Sequence, residues 1–326
     1  MTPVLQHPEK KLTLKDIEKR TKRLRGFDVN SYIEKKIEAI NDFFIWAKLD
    51  SAVIGISGGI DSAIVFALLS KASKVEGSPL KKVLGINMPI YGVGTSNQII
   101  GTKRSGLLTK FCTANVRFTT IDLSSVFNSY VDRSLDTKST WAQGQLASIV
   151  RTPCLYYHAA ILQAEGKKSI VVGTINRDEG SYIGFFGKAS DAMVDLQPIA
   201  DIHKSEVYAV AEVLGIPEEI INATPAGDVW DGRNDESMIG APYWFLEMYL
   251  LLKEFDSDNR SFEYTMETPY MDIQKISQLL KDDEKEIFEK YAKNIEDLHD
   301  TNRHKYQVGK PSHFIDILNR HIRGGW

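Results

Sequence analysis

Between two apolar runs of this chain lies Ser57-Gly58-Gly59-Ile60-Asp61-Ser62, and this hexapeptide constrains the fold more than any other stretch. The run before it, Ala52-Val53-Ile54-Gly55-Ile56, is short and β-branched and predicts a buried strand. The run after it, Ala63 to Leu69, suits a helix. A glycine-bearing loop between strand and helix lets the backbone approach an anion while helix N–H groups point at it. The loop reads as a phosphate cradle built by Gly55, Ile56, Ser57, Gly58, Gly59, Ile60, Asp61 and Ser62. It is not a Walker loop, which needs Lys-Ser or Lys-Thr after its last glycine. Serines can hold phosphate oxygens, and Asp61 is placed to hold a cation on them. A plain tight turn explains the glycines but not two serines and an acid together.

Further strands follow the same pattern. Lys81 to Met88 predicts a strand ending in the loop Ile90 to Ser96, Val116 to Ile121 another, and Ser169 to Thr174 a third. Strands alternating with helices imply a doubly wound parallel sheet with helices on both faces, and in such sheets ligands sit at the carboxyl ends of strands. The loops after Ile56, Met88 and Thr174 should therefore converge on one cleft. Asp28 and Ser31 can cap a helix carrying Ile33, Ile37, Ile40 and Phe44 at helical spacing. Residues 1–27 form a basic arm or short helix, residues 28–326 the main domain, and from about Ala241 onward the pattern is helical and charged.

The 326 residues can bury one large core, and a net charge of −3 leaves no footprint for non-specific nucleic-acid binding. No apolar stretch approaches a membrane span, and the first residues lack a signal-peptide core. Cys112 and Cys154 read as buried thiols in a reducing cytoplasm.

The Ser57–Ser62 loop resembles the signature of N-type ATP pyrophosphatases, of the adenine nucleotide alpha hydrolase-like fold, which cleave ATP between its α- and β-phosphates. The second half resembles the ammonia-dependent NAD synthases among them. Its matching pieces are Gly173-Thr174-Ile175-Asn176-Arg177-Asp178-Glu179, Gly184-Phe185-Phe186-Gly187-Lys188, Asp195-Leu196-Gln197-Pro198, Lys204 at a helix start, Asp228, Asp235-Glu236, Gly240, Tyr243 and His304-Lys305. The set runs in order from about Ile33 to Pro311. The resemblance implies ATP and magnesium as ligands, with Asp61 and Glu179 sharing the metal, Lys204 on the phosphates and Thr174 on the adenosine. It implies that Arg151, Lys188, Asp195, His304 and Lys305 meet deamido-NAD, that ammonia supplies nitrogen, and that the enzyme is a homodimer.

Three positions depart from that family's pattern. Ile149 replaces the first arginine of an Arg-x-Arg, Ala226 replaces a Thr or Ser before Asp228, and Ile99 to Arg104 replaces an acidic stretch. A sister amidating ligase acting on nicotinate mononucleotide or another acid remains an alternative. So does a nucleotide-binding homologue without catalysis, although retention of both Asp61 and Glu179 argues against it. No setting for a glutaminase nucleophile surrounds either cysteine.

Overall fold

The computed structural model describes residues 11–91, 95–134, 139–224, 234–257, 273–306 and 313–314. Asp28 caps α2 (Val29–Trp46), its carboxylate accepting from Ser31 N at 2.7 Å. That helix leads into β1 (Ser51–Gly55), the nucleotide-type loop and α3 (Ile60–Ala72). Then come β2 (Lys82–Asn87), α4 (Thr95–Gly106), a 3-10 turn, β3 (Val116–Thr120), α5 (Ser124–Val131), α6 (Thr140–Ile149) and α7 (Arg151–Ala164). The second half carries β4 (Ser169–Val172), the one-turn α8 (Arg177–Gly180), β5 (Leu196–Gln197), α9 (Lys204–Leu214) and α10 (Glu218–Ile221). The helical section holds α11 (Asp235–Ile239), α12 (Tyr243–Ser257), α13 (Ile273–Leu279) and α14 (Asp282–Asn302), and β6 (His313–Phe314) returns to the sheet.

The strands lie in the order β3-β2-β1-β4-β5-β6, and every neighbouring pair is parallel. Ser51 to Gly55 pair with Lys82 to Ile86 on one side, and Ser51 to Ile54 with Ser169 to Val172 on the other. Strand alternation sorts the core into two layers. Ala52 and Ile54 pack with α2, α3 and α9 through Ile40, Phe44, Ile64, Leu68, Val207 and Val210. Val53 faces the other way, towards Ala147, Ala159 and Leu162 of α6 and α7. The sheet is doubly wound, as the sequence predicts. Chain order reverses between β1 and β4, so the loops after these strands flank the crevice where ligands of such sheets bind.

A third core joins the helical section to the first helix, α1 (Leu14–Arg25). Leu14 and Ile17 pack with Phe245, Leu246, Met248, Phe288 and Ile295, and Leu14 N donates to Glu284 at 2.5 Å. Arg25 at the end of α1 reaches α9, bonding both Glu206 oxygens at 2.9 and 3.2 Å and the Asp201 carbonyl at 2.6 Å.

Candidate active site

The loop after β1 is shaped by glycine. Gly58 has φ +86°, a left-handed conformation, and a Cβ there would lie 2.3 Å from the carbonyl oxygen of Gly101 on α4. A Cβ on Gly101 would in turn lie 2.9 Å from Ser57 O. The stretch Ile99 to Arg104, which the sequence marks only as a departure, therefore supplies the glycine on which the loop rests. Ser57 and Ser62 close the turn, their hydroxyls 3.2 Å apart, with Ser62 Oγ donating to Gly59 O at 3.0 Å. Gly59 opens α3 without a side-chain cap, so the first N–H groups of that helix suit an anion.

Three side chains from distant parts of the chain meet at this helix start. Lys204 Nζ lies 2.7 Å from Asp61 Oδ2 and 3.2 Å from Glu179 Oε1. Asn176, the N-cap of α8, bridges the two acids. Its amide donates to Asp61 Oδ1 at 2.9 Å while its oxygen accepts from Glu179 N at 3.1 Å. Tyr243 OH donates to Glu179 Oε1 at 3.1 Å, contacts Asp235 at 3.4 Å, and places its ring 5.1 Å from the Lys204 ammonium.

The charges here are tightly balanced. Burial pushes the Glu179 carboxyl up to about 7, opposed by Lys204 and reinforced by Asp61 and Asp235. Burial alone would lower Lys204, but Asp61 and Glu179 more than reverse it, so the ammonium stays charged. Burial, then Glu179 and Asp235, raises the Tyr243 phenol, which remains a donor. Beneath this cluster, Asp178 Oδ1 pairs with His203 Nδ1 at 2.6 Å, and Asp178 Oδ2 accepts from Lys204 N at 2.6 Å.

The other predicted residues fall into two places beside Thr174. That residue is half-buried in the loop after β4, where Ile175 N bonds Gln197 at 3.0 Å. Lys188, His304 and Lys305 come together. Lys188 Nζ donates to His304 O at 3.3 Å, and Lys305 Nζ to the carbonyls of Gly184 and Phe186, both at 2.8 Å. Arg151 precedes Thr152, which donates to the carbonyl of Ala189, the residue after Lys188, at 2.8 Å. The Arg151 guanidinium holds Met88 O at 3.1 Å and Gln98 at 3.3 Å. Asp195 stands apart, on the α7 side of the sheet, where its carboxylate accepts from Val171 N at 2.8 Å and from the Tyr156 hydroxyl. Ala226, Asp228 and Pro311 lie outside the described residues.

The NAD synthase family matches residues 32–308, most of the chain. The chain belongs to this family. It is similar to the "NH(3)-dependent NAD(+) synthetase" of Mycoplasmopsis pulmonis, 33% identical over 239 residues covering 70% of this chain and 86% of that protein. The Thermococcus sibiricus protein of the same name is 28% identical over 263 residues, 80% of this chain and 96% of its own. Among solved structures, an NMN synthetase from Francisella tularensis superposes with TM-score 0.63 at 21% identity, covering 86% of this chain and 96% of that one. An NH3-dependent NAD synthetase from Campylobacter jejuni gives 0.58 at 21% identity, with the same coverage. At that identity the two structures speak for the fold.

Sequence reasoning gave Asn176, Tyr243 and Asp235 no role, although all three lie inside the pattern that carries the family resemblance. Asn176 three residues before Glu179 was available as a helix-capping signal. Nothing in the sequence pairs Asp178 with His203, because 24 residues of loop and strand separate them.

Proposed function

We propose that the protein amidates deamido-NAD to NAD with ammonia, cleaving ATP to AMP and pyrophosphate. The observation that carries the reading is the meeting of Asp61, Glu179 and Lys204 at the uncapped start of α3, although Lys204 lies 143 residues from Asp61. In this reading the β- and γ-phosphates lie against the Ser57–Ser62 loop and the first turn of α3. The substrate carboxylate attacks the α-phosphorus, the bond to the bridging oxygen breaks, and pyrophosphate leaves. Lys204 offsets the charge growing on the departing group. Ammonia then attacks the acyl carbon of the adenylate, loses a proton to solvent, and expels AMP. The protein contributes position and electrostatics, and forms no covalent bond to substrate.

Magnesium fits this site. Asp61 and Glu179 already share one cation, the Lys204 ammonium, and both are the hard oxygen donors that magnesium takes in ones and twos alongside substrate phosphates. Among the described residues no cluster of three or more His, Cys, Asp or Glu could hold a metal alone, and phosphate oxygens of a bound nucleotide would serve as its further ligands. When bound, magnesium supplies charge neutralisation across the phosphates.

Lys188, His304, Lys305 and Arg151 border the acid dinucleotide in this reading, and Thr174 the adenosine. Asp195, bound to Val171 N and the Tyr156 hydroxyl, stands apart from them, and its expected contact with the dinucleotide gains no support from this geometry. One observation favours the nicotinate mononucleotide alternative. Ile149 is 41% exposed at the position where the family pattern has an arginine facing the dinucleotide, and Arg151 is engaged with Met88 and Gln98. A steady-state assay of AMP and pyrophosphate release with deamido-NAD and nicotinate mononucleotide side by side tests the reading. Preference for deamido-NAD is expected, and amide from the mononucleotide alone overturns it.

A homodimer in the cytoplasm completes the proposal. Helices α5, α6 and α7 expose Val126, Tyr130, Trp141, Tyr157 and Ile161 on the outer side of one core layer, an apolar surface suited to a second copy. Among the described residues no helix is long and apolar enough to cross a membrane, and both cysteines are free thiols.

A further inference from the structure

We infer that the buried pair Asp178–His203 is a positioning device that holds Glu179 and Lys204 in register for the reaction proposed above, on which this role rests. Each member directly precedes one of those two residues. Both side chains are wholly buried. Asp178 spends one oxygen on the His203 ring and the other on the backbone N–H of Lys204, each at 2.6 Å. It thereby adds a cap from outside α9, on the N–H of that helix's first residue. A second strut runs beside it, from Arg177 N to Ile202 O at 2.9 Å.

Helix α8, which carries Glu179, is four residues long and too short to hold its own geometry. The segments 176–179 and 202–204 therefore fix each other. His203 is gripped at two points: the ring by Asp178, and the backbone N–H by Glu206 Oε2 at 2.9 Å. Glu206 in turn is held by Arg25. The ring meets Asp178 through Nδ1, and Nε2 has no partner among the described residues. Burial pushes the imidazole down to about 3, so the ring is neutral, and Nδ1 and the Asp178 carboxyl share one hydrogen bond.

An apolar pair of the same size would fill this space without a buried carboxylate, whose desolvation is unfavourable. What the polar pair adds is direction. Turning the ring leaves Asp178 unpaired, and moving Asp178 uncaps Lys204. The Lys204 ammonium, 2.7 and 3.2 Å from two carboxylates, tolerates little displacement, since about 1 Å of misplacement costs on the order of 100-fold in rate.

The test uses the full chain and three variants. His203→Leu removes the Nδ1 partner, His203→Asn restores a hydrogen-bonding group near the Nδ1 position, and the double change Asp178→Leu with His203→Leu removes both partners so that no orphan remains. With ATP, magnesium, ammonium and deamido-NAD, His203→Leu and the double variant are expected to lose about 10- to 100-fold in kcat. The KM for ATP should stay within about threefold, and His203→Asn should recover most of the loss. Wild-type kcat in the folded double variant overturns the proposal, as does equal loss in His203→Asn and His203→Leu. A second readout needs no turnover: amide exchange over 176–180 and 202–206. Lost protection in His203→Leu and retained protection in His203→Asn support positioning, and unchanged protection in all three overturns it. Failure of the reaction itself appears separately, as an inert wild-type protein.

Discussion

Asp61 and Glu179, which share the Lys204 ammonium, are the two acids proposed to hold magnesium, so removing either charge would weaken the cation's hold and leave phosphate charge uncompensated at the transition state. Asp61→Asn and Glu179→Gln are each expected to reduce pyrophosphate release at least about 100-fold with the far-ultraviolet circular dichroism spectrum unchanged. Retained turnover in either variant removes that residue from the chemistry. A second expectation concerns pH. Burial raises Asp178 and Glu179 to about 7 and Glu247 to about 8, whereas unfolded carboxyls release their protons near 4. Between about pH 6.5 and 8 the native protein still holds protons that the unfolded chain lacks, so stability falls as pH rises. His203, pushed down to about 3, is neutral in the native state but partly charged in the unfolded chain near pH 6.5, so it opposes the fall at the lower edge of the window and contributes little above about pH 7.5. Glu247→Gln keeps an acceptor for Ser205, which Glu247 Oε1 meets at 2.9 Å, and should flatten the fall in melting temperature. An unchanged slope would place the titration elsewhere. The acids and the lysine were legible in sequence because family order picks them out. Their supports were not, since Asn176 and Tyr243 act through contacts that only the folded chain makes.

The strands were legible because β-branched runs end in loops at regular intervals, and β1, β2, β3 and β4 fall where those runs lie. The two-residue β5 and β6 were not, since so short a strand leaves no periodic trace. Helix α1 is the instructive case. Its sequence shows scattered apolar points among Lys and Arg, but Leu14 and Ile17 are buried against helices more than 200 residues away. Its last residue, Arg25, is 7% exposed and bonds a Glu206 that is 5% exposed. Arg25→Ala leaves that carboxylate buried without its cation, and is expected to destabilise the fold by about 3–5 kcal/mol in urea unfolding. A change below about 1 kcal/mol would mean that the pair behaves as a surface ion pair.

The three core layers meet at the cleft, so the groups of the candidate site draw on all of them. β1 and α3 bring Asp61, the β4 loop brings Glu179, α9 brings Lys204 and α12 brings Tyr243. The outer face of α5 to α7 belongs to none of them and carries Trp141 and Tyr157, each 66% exposed. Sedimentation should find a dimer, and the double variant Trp141→Glu with Tyr157→Glu should sediment as a monomer with intact secondary structure. A wild-type monomer at micromolar concentration would remove the assembly from the proposal. Sequence could not locate this face, because its apolar residues are spread over three helices and mixed with core positions. The contact of Gly58 with Gly101 carries a different kind of consequence. Gly58 is kept from growing by the Gly101 backbone, and Gly101 by the carbonyl oxygen of Ser57, the residue before Gly58. A methyl at either position demands that α4 and the nucleotide loop move apart. Once they have, much of the obstacle to a methyl at Gly101 is gone. Substitutions at these two positions are therefore non-additive, but the left-handed backbone keeps Gly58 costly to replace whatever the space, so a library selected for ATP cleavage should lose Gly101 more readily than Gly58.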